Sequence, residues 1–367
     1  MNTTAVGDDA SLRLRAAAHE HGLRLRGLAA EHERAEHVPS EVYQALAADG
    51  LMAVHLRPEL GGAGRPVMDY AHAMMAIGAG CASTAVTMAV TNMVGEVLAA
   101  FAHPEVSARE CPRLAAGGLG AFGLSETNAG SDPAGMRTRA TPVDGGYRLD
   151  GDKQWISHGD RASVLVVWAK TERGISCFAV PGETPGISVV RKEDKLGLRA
   201  SATCALALED VRVPATALMG EDGRGFRVAM MALDGGRIGI ASQAIGIAEG
   251  ALAVLSDHVR SARPGQLADF AVADARTRLD AARLLVESAA GLKQRGVPFT
   301  REASMAKLFA TESAQRVCDA AAELVPASHP GRATVERSQR DVRVTRIYEG
   351  TSEIQRHVIA REVMTRA

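Results

Sequence analysis

The hydrophobic period changes twice along the chain, and this restricts it to a helical–β–helical order. From about residue 8 to 117, apolar residues recur at helical spacing, as at Met74, Ile77 and then Val86 to Phe101, with breakers between the segments. Pro39-Ser40 opens one helix, and Gly50 ends it where the backbone can turn left-handed. Leu56 to Gly64 reads as a loop. From about 118 to 220 the period shortens, and Val164–Trp168, Ile175–Val180, Ile187–Val190 and Thr203–Val213 read as short strands. Asp144-Gly145 and Asp150-Gly151 are hairpin-type turn signals on either side of Tyr147-Arg148-Leu149. The expectation is a small antiparallel β-barrel or sheet, and the scarcity of crossover helices argues against a doubly wound parallel one. From about 225 onward, Phe226–Leu255, Gln266–Leu292, Arg301–Leu324 and Ser352–Met364 carry long apolar stripes, which predict an antiparallel four-helix bundle. The fold is thus read as mostly α with a central β domain, divided at 1–117, 118–220 and 221–367.

A chain of 367 residues exceeds what one core usually supports, in line with that division. A net charge of −1 leaves no basic footprint for nucleic acid and no polybasic membrane patch. The five cysteines, Cys81, Cys111, Cys177, Cys204 and Cys318, are scattered without a CxxC pair, which argues against a disulfide framework or a zinc site and for a reducing compartment. The N-terminal run MNTTAVGDDASLRLR has acids where a signal peptide needs bases, and no apolar run approaches the ~18 residues of a membrane span. These features predict a cytoplasmic protein with no metal.

Candidate chemistry concentrates in a few segments. In Ile347-Tyr348-Glu349-Gly350-Thr351-Ser352-Glu353-Ile354-Gln355, Ser352 and Gln355 read as a capping box, so a helix starts at Ser352 and continues with Ile354, Val358 and Ile359 on one face. Glu349 then sits on a glycine turn just before the helix, either as a proton acceptor facing a cleft or as an acid stabilising a positive helix end. Ala121 to Asp132 is rich in small and hydroxyl residues that let a backbone approach a flat heterocycle or pyrophosphate, or is simply a connecting loop. It matches neither GxGxxG nor P-loop spacing. Trp155-Ile156-Ser157-His158-Gly159 offers an indole that could cover a planar ligand or pack in a core. Leu233-Asp234-Gly235-Gly236-Arg237 places two glycines, each costing about 1 kcal/mol, in a helical pattern; they mark a ligand, a packing notch or a helix break. His55, His158, His258 and His329 stand in no ligand spacing.

Together these segments resemble the acyl-CoA dehydrogenase family over most of the chain. Leu124-Ser125-Glu126 through Ala129-Gly130-Ser131-Asp132 is similar to its first flavin signature and Trp155-Ile156-Ser157 to its second. Lys195 to Ser201 and Glu209 to Pro214 match a stretch common in its β domain, and Tyr348-Glu349-Gly350-Thr351 matches the turn carrying its glutamate base. The resemblance implies FAD as cofactor, with Phe122, Leu124 and Ser125 lining the flavin ring, Gly130 and Ser131 between flavin and thioester, and Ser131 reaching a phosphate. It implies that Trp155, Ile156 and Ser157 cover the other face, and that Thr351 and Glu353 hold the adenylate side. Asp234, Arg237 and Gly350 would border an acyl thioester, and Glu349 would be the base.

Two segments depart from the family pattern. His258 to Gly265 stands where an Arg-x-x-Phe-Gly segment is usual, and Glu323 to Gly331 where a Gln-x-x-Gly-Gly-x-Gly loop is usual; both normally reach the flavin of a neighbouring subunit. Asn128 and Thr127 replace a proline and small residues. Such trimming is similar to acyl-ACP dehydrogenases of polyketide extender-unit pathways of the methoxymalonyl-ACP type. The implied function is FAD-dependent α,β-dehydrogenation of a short acyl thioester on acyl carrier protein or CoA, by a homodimer or homotetramer that passes electrons to an acceptor. A flavin-dependent oxidase or monooxygenase, or a scaffold that has lost flavin, are the alternatives.

Overall fold

The computed structural model describes residues 8–365, so the first part of the acidic N-terminal run read above lies outside the described residues. The N-terminal helices are α1 (Asp9–Ala35), α2 (Ser40–Ala48), α3 (Val67–Gly80), α4 (Ala82–Phe101) and α5 (Pro104–Ala115). Strands follow: β1 (Gly120–Gly123), β2 (Arg139–Val143), β3 (Gly146–Ser157), β4 (Val164–Thr171), β5 (Gly174–Pro181), β6 (Ile187–Lys192), β7 (Thr203–Pro214) and β8 (Leu218–Met219). The chain ends in α6 (Gly225–Ala262), α7 (Gln266–Gln294), α8 (Thr300–Leu324), α9 (Arg332–Val342) and α10 (Ser352–Thr365).

The eight strands form one sheet in the order β6-β7-β3-β2-β4-β5-β8, with β1 beside β4. Most pairings are antiparallel as expected, but β1·β4 and β2·β4 run parallel. Asp144-Gly145 makes the β2–β3 turn, with Gly145 left-handed at φ 74°. Asp150-Gly151 does not turn the chain: it lies inside β3 as a bulge, where the register against β7 slips between Leu149 and Gly151. A side chain at Gly151 would come 2.7 Å from the Thr138 backbone, so the bulge brings β3 close against the segment before β2.

The long helices form because their apolar faces have somewhere to go. The most apolar stretches of α4 and α6 have mean hydropathy of 1.4 and 1.7, and 78% and 83% of those windows are buried. They are core helices of this fold. Helices α3 and α6 cross at backbone contact: a Cβ at Gly246 would sit 2.2 Å from the Met75 carbonyl oxygen, and one at Gly78 would sit 2.9 Å from that of Gln243. Helix α9 was not among the expected elements, because it is short and its sequence is dominated by charged and polar residues. Its buried Asp341 accepts the Leu198 amide at 2.6 Å, and Arg340 pairs with Glu33 of α1 at 2.5 Å. One short helix thus fastens the β region to both helical regions, and burial pushes the Asp341 carboxyl up to about 6.

The Gly246 crossing generates a stability prediction. Gly246→Val is expected to lower unfolding stability by about 1–3 kcal/mol through overpacking, measured as the denaturant midpoint; an unchanged midpoint would contradict the close α3–α6 contact.

Candidate active site

The chain leaves α9 through a short 3-10 turn, Arg343–Arg346, and reaches Glu349 in the left-handed region at φ 54°, followed by Gly350 at φ 89°. An L-residue in that conformation costs about 1–2 kcal/mol and persists only where its surroundings hold it. Here they do. Tyr348 Oη donates to Gln243 Oε1 at 2.6 Å, and Gln243 Nε2 donates to the Ala82 carbonyl at 2.9 Å. Lys307 Nζ donates to the Gly350 carbonyl at 2.7 Å. Gln355 Nε2 reaches back to the carbonyls of Glu349 at 3.1 Å and Gly350 at 2.9 Å. The helix starts at Ser352 as expected, but the cap lies one residue earlier: Thr351 Oγ1 accepts the Ile354 amide at 3.3 Å, while the Ser352 hydroxyl donates to Glu312. Gln355 therefore braces the Glu349 turn and does not complete a capping box.

The turn sets the Glu349 carboxylate against α6. Its Oε2 is buried with no hydrogen-bond partner among the described residues, and a side chain at Gly236 would come within 2.6 Å of it. The two glycines do not break α6, which runs unbroken through them. They are a notch, and Glu349 occupies it. Arg237, on the same helix, pairs with Asp234 at 2.5 Å and meets Ser304 Oγ at 3.2 Å, and Thr300 Oγ1 donates to Asp234 at 2.5 Å. Burial pushes the Glu349 carboxyl from 4.5 up to about 7, against the opposing pull of Arg237 and Lys307. Burial likewise brings the Lys307 ammonium from 10.5 down to about 7, against the attraction of Glu349. A carboxylate desolvated to this degree, with one oxygen left free, is suited to accept a proton near neutral pH.

The two flavin-like segments meet at a second locus. Glu126 is buried and takes Lys153 Nζ at 2.9 Å, the Arg137 amide at 2.5 Å and the Thr138 hydroxyl at 2.5 Å. The Gln154 amide donates to the Ser125 carbonyl at 2.9 Å. These bonds clamp the Ser125–Ser131 loop to the end of β3. Trp155 stands there at φ 65° and is 60% exposed, an aromatic residue open beside a hydroxyl-rich loop. Phe122 is half-buried and packs against Trp168 with ring centroids 4.4 Å apart. Ser125 and Ser157 are half-buried, and Gly130 and Ser131 are exposed, with nothing crowding the Cβ direction of Gly130. Leu124 and Ile156 differ from the expectation: both side chains are buried in the core, which leaves only their backbones for a cofactor. Thr351 and the exposed Glu353 lie at the N-terminus of α10. An exposed indole, free hydroxyls, open glycine backbone and a helix N-terminus are the donor set a flavin dinucleotide requires.

Sequence reasoning missed Lys307, Gln243 and Lys153, and it included Tyr348 and Glu126 in motifs without giving either a role. Lys307 had a usable signal. It lies on the buried stripe Ala303, Ala306, Ala310 and Ala314 of α8, where a lysine has no reason to be unless something pairs with it.

The chain matches the family descriptions "Acyl-CoA dehydrogenase, N-terminal domain" over residues 14–118, "middle domain" over 121–211 and "C-terminal domain" over 223–364. It is 42% identical to the short-chain specific acyl-CoA dehydrogenase, mitochondrial, of Bos taurus over 348 residues, 91% of this chain and 84% of that protein. Its fold superposes on butyryl-CoA dehydrogenase from Megasphaera elsdenii with a TM-score of 0.94 at 34% identity, covering 99% of this chain and 100% of that one. It also superposes on FkbI, described for biosynthesis of the methoxymalonyl extender unit of a polyketide, with a TM-score of 0.88 at 28% identity, covering 95% and 99%. The chain belongs to the acyl-CoA dehydrogenase family of FAD-dependent oxidoreductases, which oxidise acyl-CoA thioesters.

Proposed function

We propose that Glu349 is the base of an α,β-dehydrogenation of a short acyl thioester, and that the acyl group is delivered on an acyl carrier protein as well as on CoA, in making a polyketide extender unit. The observation that carries the first part is the free, buried Oε2 of Glu349 in the Gly236 notch. The substrate Cα–H bond lies against Oε2, the proton passes to that oxygen, and a double bond forms between Cα and Cβ. Bound FAD supplies the two-electron acceptor for the hydrogen leaving Cβ with its electron pair. Phe122, Ser125, Gly130, Ser131, Trp155, Ser157, Thr351 and Glu353, with the backbones of Leu124 and Ile156, would hold that cofactor. Gly350, Asp234 and Arg237 would border the thioester, and Ser131 would face both substrate and cofactor. Arg237 and Lys307 keep the Glu349 carboxyl from rising further, so that it is ionised in part near neutral pH.

Delivery on a carrier protein is supported by the likeness to FkbI and by the shortened α6–α7 junction, where Arg263 turns left-handed at φ 50° and α7 resumes at Gln266. A homo-oligomer is supported by the exposed apolar residues Leu267 and Phe270 at the start of α7.

Four outcomes test this reading. Glu349→Gln is expected to slow anaerobic flavin reduction by a thioester by about 10²–10⁴-fold while keeping bound flavin, read by single-turnover absorbance; full reduction in the variant would refute the role of Glu349. In the wild-type protein the reduction rate should rise with pH through about 7, because the acting form is the carboxylate whose proton is lost there. Lys307→Met removes a positive neighbour, so the midpoint of that profile should move to higher pH; an unmoved midpoint would separate Lys307 from the base. Anaerobic titration with the same butyryl group on an acyl carrier protein and on CoA should bleach the flavin with both; bleaching by CoA alone would remove carrier-protein delivery.

A further inference from the structure

Beyond the Glu349 notch, the same face of α6 is lined by polar groups that an unbranched hydrocarbon tail cannot use. A Cβ at Gly235 would lie 2.6 Å from Lys293 Nζ and 3.3 Å from Glu96 Oε2, where the neighbouring Gly236 faces Glu349 and the Met93 sulfur. A Cβ at Gly239 would lie 2.3 Å from Tyr70 Oη. One stretch of α6 therefore presents bare backbone to the base, to an ion pair and to a phenol.

The ion pair is well formed. Lys293 Nζ contacts both oxygens of Glu96, at 2.7 and 2.8 Å, linking α7 to α4. Burial is the largest influence on the Glu96 carboxyl, yet the charge and hydrogen bond of Lys293 oppose it, and the group is held below the ordinary value. Glu96 nevertheless keeps 31% of its side-chain surface open and Lys293 15%. Glu96 thus combines a carboxylate desolvated by the surrounding protein with side-chain surface left open to a ligand atom. Around it stand His55, pushed down to about 4 by burial and so neutral, with Nδ1 unpartnered, and the buried Tyr70, which packs edge-on to His55 at 4.7 Å. The Tyr70 hydroxyl has no hydrogen-bond partner among the described residues.

The geometry points to Glu96, Lys293 and Tyr70 as the residues that select the acyl group, favouring a short chain with a hydroxyl just beyond Cβ, such as a 4-hydroxyacyl thioester, over its hydrocarbon isostere. This rests on the dehydrogenase reading above. A hydrocarbon end placed against Glu96 and Lys293 strips water from both charges and returns no hydrogen bond. A hydroxyl donates to the Glu96 carboxylate and accepts from Tyr70, so the charges stay satisfied. A site built to bond a hydroxyl discriminates against the analogue lacking it far more strongly than an apolar pocket resolves one methylene. One charge-assisted bond corresponds to roughly 10–100-fold in affinity.

The test compares 4-hydroxybutyryl-CoA with pentanoyl-CoA, in which a methyl group replaces the hydroxyl. Dissociation constants are read from perturbation of the flavin spectrum in the Glu349→Gln holoprotein, where turnover is blocked. The hydroxylated thioester should bind at least about 10-fold more tightly. Adding Glu96→Leu with Lys293→Met should abolish or invert that preference, and adding Tyr70→Phe alone, which keeps both charges and the fold, should reduce it severalfold. Equal or tighter binding of pentanoyl-CoA before these changes, or a preference that survives Tyr70→Phe unchanged, overturns the assignment. If pentanoyl-CoA is preferred and wild-type protein is still bleached by it, only the selectivity assignment fails. If neither thioester binds and neither bleaches the wild type, the dehydrogenase reading fails with it.

Discussion

The site depends on a carboxylate kept without a hydrogen bond. Burying an acid unpaired is unfavourable, and the protein spreads that cost over several elements. The left-handed Glu349 backbone aims the side chain at α6, and bonds from Lys307, Gln355 and Tyr348 hold the strained turn in place. Gly236 then supplies the room that any side chain there would take away. Arg237 and Lys307 lie near enough to limit the upward shift of the acid but donate no hydrogen bond to its Oε2. A direct salt bridge would have made a stable ion pair and a poor base.

The rest of the fold can be understood as support for that arrangement. Helices α3, α4, α7, α8 and α10 surround or brace the glycine-bearing part of α6, and α9 fixes the approach to the turn through Asp341 and Arg340. The β region contributes the clamp between Glu126 and Lys153, which places the Trp155 indole beside the Ser125 loop. A buried ion pair of this kind adds little net stability compared with apolar packing, but it fixes one geometry for the loop that carries it.

The sequence made the order of regions, most strand positions and the Glu349 turn legible, because each leaves a local mark: a change of period, a turn dipeptide, a glycine before a helix. Where the reading went astray, the deciding contact was distant in sequence. Asp150-Gly151 looks like a turn, and only the pairing of β3 with β7 makes it a bulge. Gly235-Gly236 could have been a helix break, and the reason it is a notch lies more than a hundred residues away at Glu349. Leu124 and Ile156 belong to the right segments, but the packing of β1's exit and of the irregular end of β3 turns their side chains into the core. Lys307 left a mark on the buried stripe of α8, but its partner, the Gly350 carbonyl, is set only by the packing of the turn against that helix.

Glu349 as a proton acceptor can be measured apart from any redox step. Acetyl-CoA has α-hydrogens but no β-hydrogen, so it can exchange a proton and cannot be dehydrogenated. In deuterated buffer, wild-type holoprotein should exchange the acetyl protons of acetyl-CoA for deuterium, at a rate that rises with pH through about 7, and Glu349→Gln should not. Exchange by the variant at the wild-type rate would contradict the account.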